Sequence, residues 1–120
     1  MDDKVAVEIT SEGNAAVVAF KATSISNTEG IAAASKQIKK FIEDNHPGKM
    51  VFDFGGVKFF SSQVLGVLLD IRAKLKTYNG EVVISAIDPQ LHRVFRITNL
   101  DKVFRFFSDK ENAIKAMGTS

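Results

Sequence analysis

The feature that most constrains this chain is the regular alternation of short β-prone runs with segments of helical periodicity. Lys4 to Thr10 alternates apolar and polar side chains, the mark of a strand with one covered face. Ser11-Glu12-Gly13-Asn14 is turn chemistry and Ala15 to Phe20 is a continuous apolar run, so the two runs read as a hairpin. Ser26-Asn27-Thr28-Glu29 fits a capping box with Ser26 at the N-cap, ahead of Ile31, Ala34, Ile38, Phe41 and Ile42 at helical spacing. That helix is expected to stop near Asn45, before His46-Pro47-Gly48. Met50 to Phe54 reads as a strand buried on both faces, broken by Gly55-Gly56. A more apolar helix follows from about Ser62 to Lys76 and ends at Asn79-Gly80. Glu81 to Ala86 is another buried strand. Asp88 then caps a short helix with Pro89 in its first position, and Leu91, Val94 and Phe95 mark the core side. Lys102 to Phe107 reads as a last strand. Ser108-Asp109-Lys110-Glu111 is a second capping box, opening a terminal helix whose Ala113, Ile114 and Met117 can dock.

The resulting order is β-β-α-β-α-β-α-β-α. Repeated strand–helix units require crossover connections and so predict an α/β fold with a largely parallel sheet. A chain of 120 residues suits one domain and hides roughly two-thirds of its unfolded surface without disulfides or structural metal. No linker, repeat or low-complexity tract interrupts residues 1–120, which are therefore read as a single domain.

Composition removes several function classes. The absence of cysteine excludes thiol catalysis, disulfide frameworks and thiolate metal sites. The formal charge of +2 is too small to point to nucleic acid or an anionic membrane. No apolar run approaches the roughly 20 residues that span a bilayer, and Met1-Asp2-Asp3-Lys4 lacks the basic start of a secretory signal. A cytoplasmic protein is the expectation.

Candidate chemistry is sparse. The chain has no phosphate loop: Gly48-Lys49-Met50 lacks the hydroxyl. Gly55-Gly56 lacks the third glycine of a dinucleotide fingerprint and reads as a tight turn. Asp53 reads as a strand-end carboxylate bonded to loop backbone rather than a general base. Ser61 or Ser62 with His46 or His92 would be the raw material of a hydrolase, but Gly-x-Ser-x-Gly is absent. His92, Arg93, Arg96, Lys102 and Arg105 interleave with Phe95, Phe104 and Phe106. The arginines fall opposite Leu91 and Phe95, as a solvated face does, so nucleic-acid binding is not favoured. No cofactor or metal is expected, and no enzymatic activity.

The informative segment runs from Val57 to Leu69. It sets Ser61 and Ser62 at the entrance of a helix whose Val64-Leu65-Gly66-Val67-Leu68-Leu69 is apolar on nearly every side, so this helix should lie deep or beneath a partner. A serine N-cap bonds an orphan backbone N–H and stabilises a helix by about 1 kcal/mol. Capping needs one serine only. A phosphate on the other would meet unpaired N–H groups and the positive dipole end, adding about 1.5 to 2 negative charges while the fold stays intact.

That segment, with Glu81 to Ala86 and the run from Leu91 through Ile97-Thr98-Asn99-Leu100-Asp101-Lys102-Val103-Phe104, resembles a STAS domain, and more narrowly the bacterial anti-sigma factor antagonists. The resemblance covers most of the chain. It implies a mixed, largely parallel sheet with an N-terminal hairpin and about four helices. It also implies a serine at the start of the second helix that is phosphorylated by an anti-sigma factor acting as serine kinase and dephosphorylated by a metal-dependent PP2C-type phosphatase. The unphosphorylated form binds the anti-sigma factor, freeing the sigma factor and so regulating transcription. The family's run is Asp-Ser-Ser/Thr-Gly-Leu-Gly. Matching Leu65-Gly66 to its end puts the phosphorylated position at Ser62, with Ser61 as second choice in place of the Asp, and Gln63 and Val64 in place of Ser/Thr and Gly. The implied partner surface is Val57, Lys58, Phe59, Phe60, Ser61, Ser62 and Gln63. The alternative is a STAS scaffold, or a nucleotide- or lipid-binding module, that is never phosphorylated.

Overall fold

In the computed structural model, which describes residues 7–117, the hairpin is formed by β1 (Val7–Glu12) and β2 (Ala15–Phe20), paired antiparallel. The first strand is expected from Lys4; residues 1–6, which hold that start and the Met1-Asp2-Asp3-Lys4 segment, and the side chain of Met117 lie outside the described region. Strand β2 then pairs in parallel with β4 (Lys49–Asp53), β4 with β6 (Glu81–Ser85), and β6 with β7 (Arg105–Phe107). The sheet order is therefore β1-β2-β4-β6-β7, a mixed sheet that is parallel everywhere except at the hairpin. The α/β reading of the sequence holds.

The pleat sorts the strand residues into two cores. Ala16, Val18, Phe20, Met50, Phe52, Phe54, Val82 and Ile84 join residues of α1 (Thr28–Asn45), α2 (Ser62–Lys76) and α3 (Pro89–Ile97) in one large cluster. Their neighbours Val17, Val51 and Val83 form a second, smaller cluster with Ala113 of α4 (Lys110–Met117). Three helices thus cover one face and the last covers the other, which explains why the central strands read as uninterrupted apolar runs. Phe52, Phe54 and Phe95 are fully buried, and Phe95 packs edge-on against Phe60, Phe104 and Phe106.

Several boundaries differ from expectation for identifiable reasons. Helix α1 is capped by Asn27, whose side chain accepts from the Gly30 N–H at 2.6 Å, not by Ser26. Likewise Asp109, not Ser108, accepts from the Asn112 N–H ahead of α4 at 2.8 Å. In both boxes the carboxylate or amide beside the serine takes the donor, as the ranking of capping residues allows. The last strand starts at Arg105 rather than Lys102. Asn99 in the left-handed region (φ 64°) turns the chain into a 3-10 turn, Leu100–Lys102, which buries Phe104 instead. Two short strands lie outside the expected order: β3 (Ser24–Ile25) and β5 (Phe59–Phe60), paired in parallel apart from the main sheet. Asp88 caps α3 with Pro89 in its first turn, as the sequence indicates. No helix among the described residues is long and apolar enough to cross a membrane.

Strand β6 stops one residue early because Ala86 adopts φ 55°, while its N–H donates to the Phe107 carbonyl at 3.0 Å. A left-handed alanine costs roughly 1–2 kcal/mol, partly offset by the extra unfolded-state freedom a glycine would bring. Ala86→Gly should therefore raise the thermal midpoint by about 2–5 °C and Ala86→Val should lower it. Paired melting curves check both signs.

Candidate functional site

The chain leaves β4 at Asp53, whose Oδ1 accepts the Gly55 N–H at 3.0 Å, the loop-bonded role expected of it. The turn at Gly55-Gly56 needs a glycine at its second position, where φ is 86°. From there the segment is stitched to the strand after the hairpin. Lys58 and Phe59 both donate to the Thr23 carbonyl, β5 runs beside β3, and the Ser61 N–H donates to the Ile25 carbonyl at 2.9 Å. Strand alternation then decides the two phenylalanines. Phe60 turns inward against Phe54 and Phe95, and Phe59 stays 52% exposed. Val57 is buried as well. The members of the expected partner surface that reach solvent are thus Lys58, Phe59, Ser61, Ser62 and Gln63, with Val57 and Phe60 holding the loop from beneath.

The helix start is different from a simple serine cap. Ser61 occupies the N-cap with extended backbone (φ −80°, ψ 162°), yet its hydroxyl makes no capping bond. Its carbonyl accepts the Val64 N–H at 3.0 Å instead. Ser62 is the first helical residue and is exposed. No acidic side chain occupies the first turn. The result is an exposed hydroxyl at the positive end of a 15-residue helix. Gln63 turns sideways, its Nε2 donating to the Thr28 carbonyl at 3.1 Å, so the starts of α1 and α2 lie side by side.

Below Ser62 on the same helix face come Gly66 and Leu69, four and seven residues on. Leu69 is 37% exposed, and nothing lies within 4 Å of where a Cβ on Gly66 would sit. Neither was singled out as a site residue, although the all-round apolarity of this stretch was the available signal. Val64, Leu65 and Leu68 are the deep side; the other side is open.

The remaining candidates lie elsewhere. His46 ends α1 against Tyr78, with ring centroids 5.3 Å apart, and His92 packs on Phe106 at 4.3 Å. Neither bonds a serine hydroxyl among the described residues, so the hydrolase arrangement is not assembled. Among the described residues no three His, Asp or Glu side chains gather as a metal site would require. Arg93 and Arg96 are exposed on α3, opposite buried Leu91 and Phe95.

The family model for the STAS domain matches residues 8–113. The chain belongs to the STAS domain family. BtrV of Bordetella bronchiseptica, provisionally named an anti-sigma factor antagonist, is 29% identical over 77 residues, covering 64% of this chain and 66% of that protein. This STAS domain therefore spans just under two-thirds of the length of that curated relative. Among solved structures, an anti-sigma-factor antagonist (STAS) domain protein from Planctomyces limnophilus superposes with a TM-score of 0.83 at 23% identity, covering 93% of this chain and 97% of that one. Bacillus SpoIIAA, an anti-sigma factor antagonist, matches in its unphosphorylated form (TM-score 0.75, 15% identity, 96% and 100% covered). Its phosphorylated form matches equally well (TM-score 0.74, 18% identity, 93% and 99% covered). At these identities the structures establish the fold, which is the SpoIIAA-like one.

One ion pair braces the serine-bearing loop of this STAS domain against α3. Asp88 accepts the Gln90 N–H at 2.9 Å and Lys58 Nζ at 3.2 Å. The backbone bond first, and the Lys58 ammonium second, hold the Asp88 carboxyl below the usual carboxylate range. A depressed folded-state value means stability present above the unfolded value of about 3.9 and lost as pH falls through the folded one. Asp88→Asn keeps a capping side chain but cannot ionise. Its melting midpoint should sit slightly below wild type at neutral pH, and the gap should close as pH drops below about 4. Melting curves between neutral and acidic pH test this.

Proposed function

We propose that this STAS domain is an anti-sigma factor antagonist, a non-catalytic regulatory module switched by phosphorylation of Ser62. The observation that carries the reading is the helix start. An exposed hydroxyl stands on the first residue of α2, with no acidic neighbour in that turn and with the adjacent serine not capping. A phosphate there meets the positive helix end without displacing any bond the fold depends on. Ser61 is the second choice, because its hydroxyl is equally unengaged but less exposed.

The partner is an anti-sigma factor that is also a serine kinase, and a PP2C-type phosphatase resets the site. In the unphosphorylated form Lys58, Phe59, Ser61, Ser62 and Gln63 meet the anti-sigma factor, and the sigma factor is released to direct transcription. Added negative charge then opposes that contact. A glycine in an exposed helix interior costs about 0.5–1 kcal/mol relative to alanine, and here no neighbour in the chain requires it. Close approach of a partner over Gly66, with exposed Leu69 on the same helix face, accounts for that cost. The action takes place in the cytoplasm, where sigma factors act.

Two variants and one chemical assay test the reading. Incubated with ATP and the anti-sigma kinase, the wild type should gain one phosphate on the peptide carrying Ser61 and Ser62, read by mass spectrometry. Ser62→Asp should lose at least about tenfold in affinity for that kinase while its thermal midpoint stays level or rises slightly. Gly66→Leu should melt higher than wild type yet bind more weakly. Equal binding by wild type and Ser62→Asp removes the switch. A chain that stays unphosphorylated with its kinase would instead be a scaffold or small-molecule STAS module.

A further inference from the structure

At the opposite pole of the fold from Ser62, the C-terminal end of α2 meets the start of β6 around a cavity of about 310 Å3. The 15-residue helix separates the two places by roughly 20 Å. The cavity is lined by Arg72, Lys76 and Asn79 with Val82 and Val103, and by Glu81 and the adjoining Gly80. Its charge is unbalanced. Glu81, the one carboxylate, is engaged by Arg105 at 3.2 Å. Arg72 and Lys76 have no ion-pair partner among the described residues, and neither does the Asn79 side-chain amide have a hydrogen-bond partner among them.

The fold explains only part of that imbalance. Arg72 and Lys76 are four residues apart on one helix face, a spacing at which like charges oppose helix formation. The helix dipole accounts for cations in the last turn, and Lys74 and Lys76 are there. Arg72 lies a turn earlier, beyond that effect. Elsewhere on the two long helices the lysines facing the seam are paired: Lys39 with Asp70, and Lys74 with Glu43.

We infer that this cavity is a binding site for a small phosphomonoester. The planar guanidinium of Arg72 takes two phosphate oxygens, Lys76 supplies the second positive charge, and the Asn79 amide donates alongside them. Two cations match the charge of about −1.5 to −2 on a phosphomonoester better than the single charge of a carboxylate. Val82 and Val103 give the rest of the molecule an apolar wall, in the way small-molecule sites combine apolar lining with a few convergent polar groups. The site is independent of Ser62 and of its phosphorylation.

The test is a titration of the 15N-labelled chain followed by NMR at low ionic strength, with phenyl phosphate, inorganic phosphate and benzyl alcohol as probes. Phenyl phosphate should shift the amides of Asn79, Gly80, Glu81 and Val103 and saturate. Inorganic phosphate should shift the same amides with about tenfold weaker affinity, and benzyl alcohol should leave them unmoved. The double variant R72Q/K76Q should lose at least about tenfold in affinity with an unchanged melting midpoint, whereas E81Q, which releases Arg105, should bind at least as tightly as wild type. Shifts that fail to saturate, or that centre on the start of α2, overturn the site. So does wild-type affinity in R72Q/K76Q. Equal affinity for the two phosphates removes the role of Val82 and Val103.

Discussion

Parallel pairing of β2, β4, β6 and β7 is the constraint from which the rest of this molecule follows. Each parallel neighbour must be reached by a crossover, and the right-handed sense of such crossovers sends α1, α2 and α3 to the same face of a sheet that grows in one direction. Every one of those helices therefore begins at the carboxyl end of a strand and finishes beside the next strand's start. The two poles of the domain acquire opposite characters from this alone. One collects helix N-termini, with their unpaired N–H groups and positive dipole ends; the other collects C-termini and the cations that complement them.

The small β3–β5 pairing refines the first pole. Because Ser24 and Ile25 run in register with Phe59 and Phe60, the chain enters α1 and α2 from parallel tracks, and Gln63 bridges the two starts through the Thr28 carbonyl. Core packing of Phe60 against Phe54 and Phe95 holds that pairing from below, and Lys58 on Asp88 braces it from the side of α3. A rigid base is what the proposed charge switch at Ser62 needs. If the segment carrying Ser62 were loose, added charge would be absorbed by local rearrangement instead of being presented to a partner.

Much of this was legible in the amino-acid order, and the exceptions share a physical origin. Strand and helix existence followed from periodicity, which many residues report at once. The finer assignments depended on single side chains competing for one donor. Ser26 and Ser108 each lost the cap to the residue beside them, since Asn27 and Asp109 are at least as good acceptors and sit one position closer to the first helical turn. Strands β3 and β5 are two residues long, too short for any period, and form only because a long-range partner is present. Phe59 and Phe60 read alike in the sequence; which ring is buried is set by the β5 register, a tertiary fact. Ser61 illustrates the same limit from the other side: its position at the N-cap was readable, while the idle hydroxyl was not.

The exposed face of α2 shows where this sequence departs from what stability alone would select. Gly66 in a helix interior, with Leu69 and Phe59 left in water, lowers the stability of the isolated domain without any compensating contact inside it. Gly66 and Leu69 lie along the helix line that begins at Ser62, Phe59 stands on the strand just before it, and the same helix buries Val64, Leu65, Leu68, Ile71 and Leu75 on its other side without a break. The contrast is informative because both faces belong to one element with one backbone. Choices that disfavour the free fold yet cluster beside an exposed hydroxyl are understandable if the relevant stability is that of a complex. In that setting a missing side chain admits close approach, and apolar surface is covered only when the partner is bound.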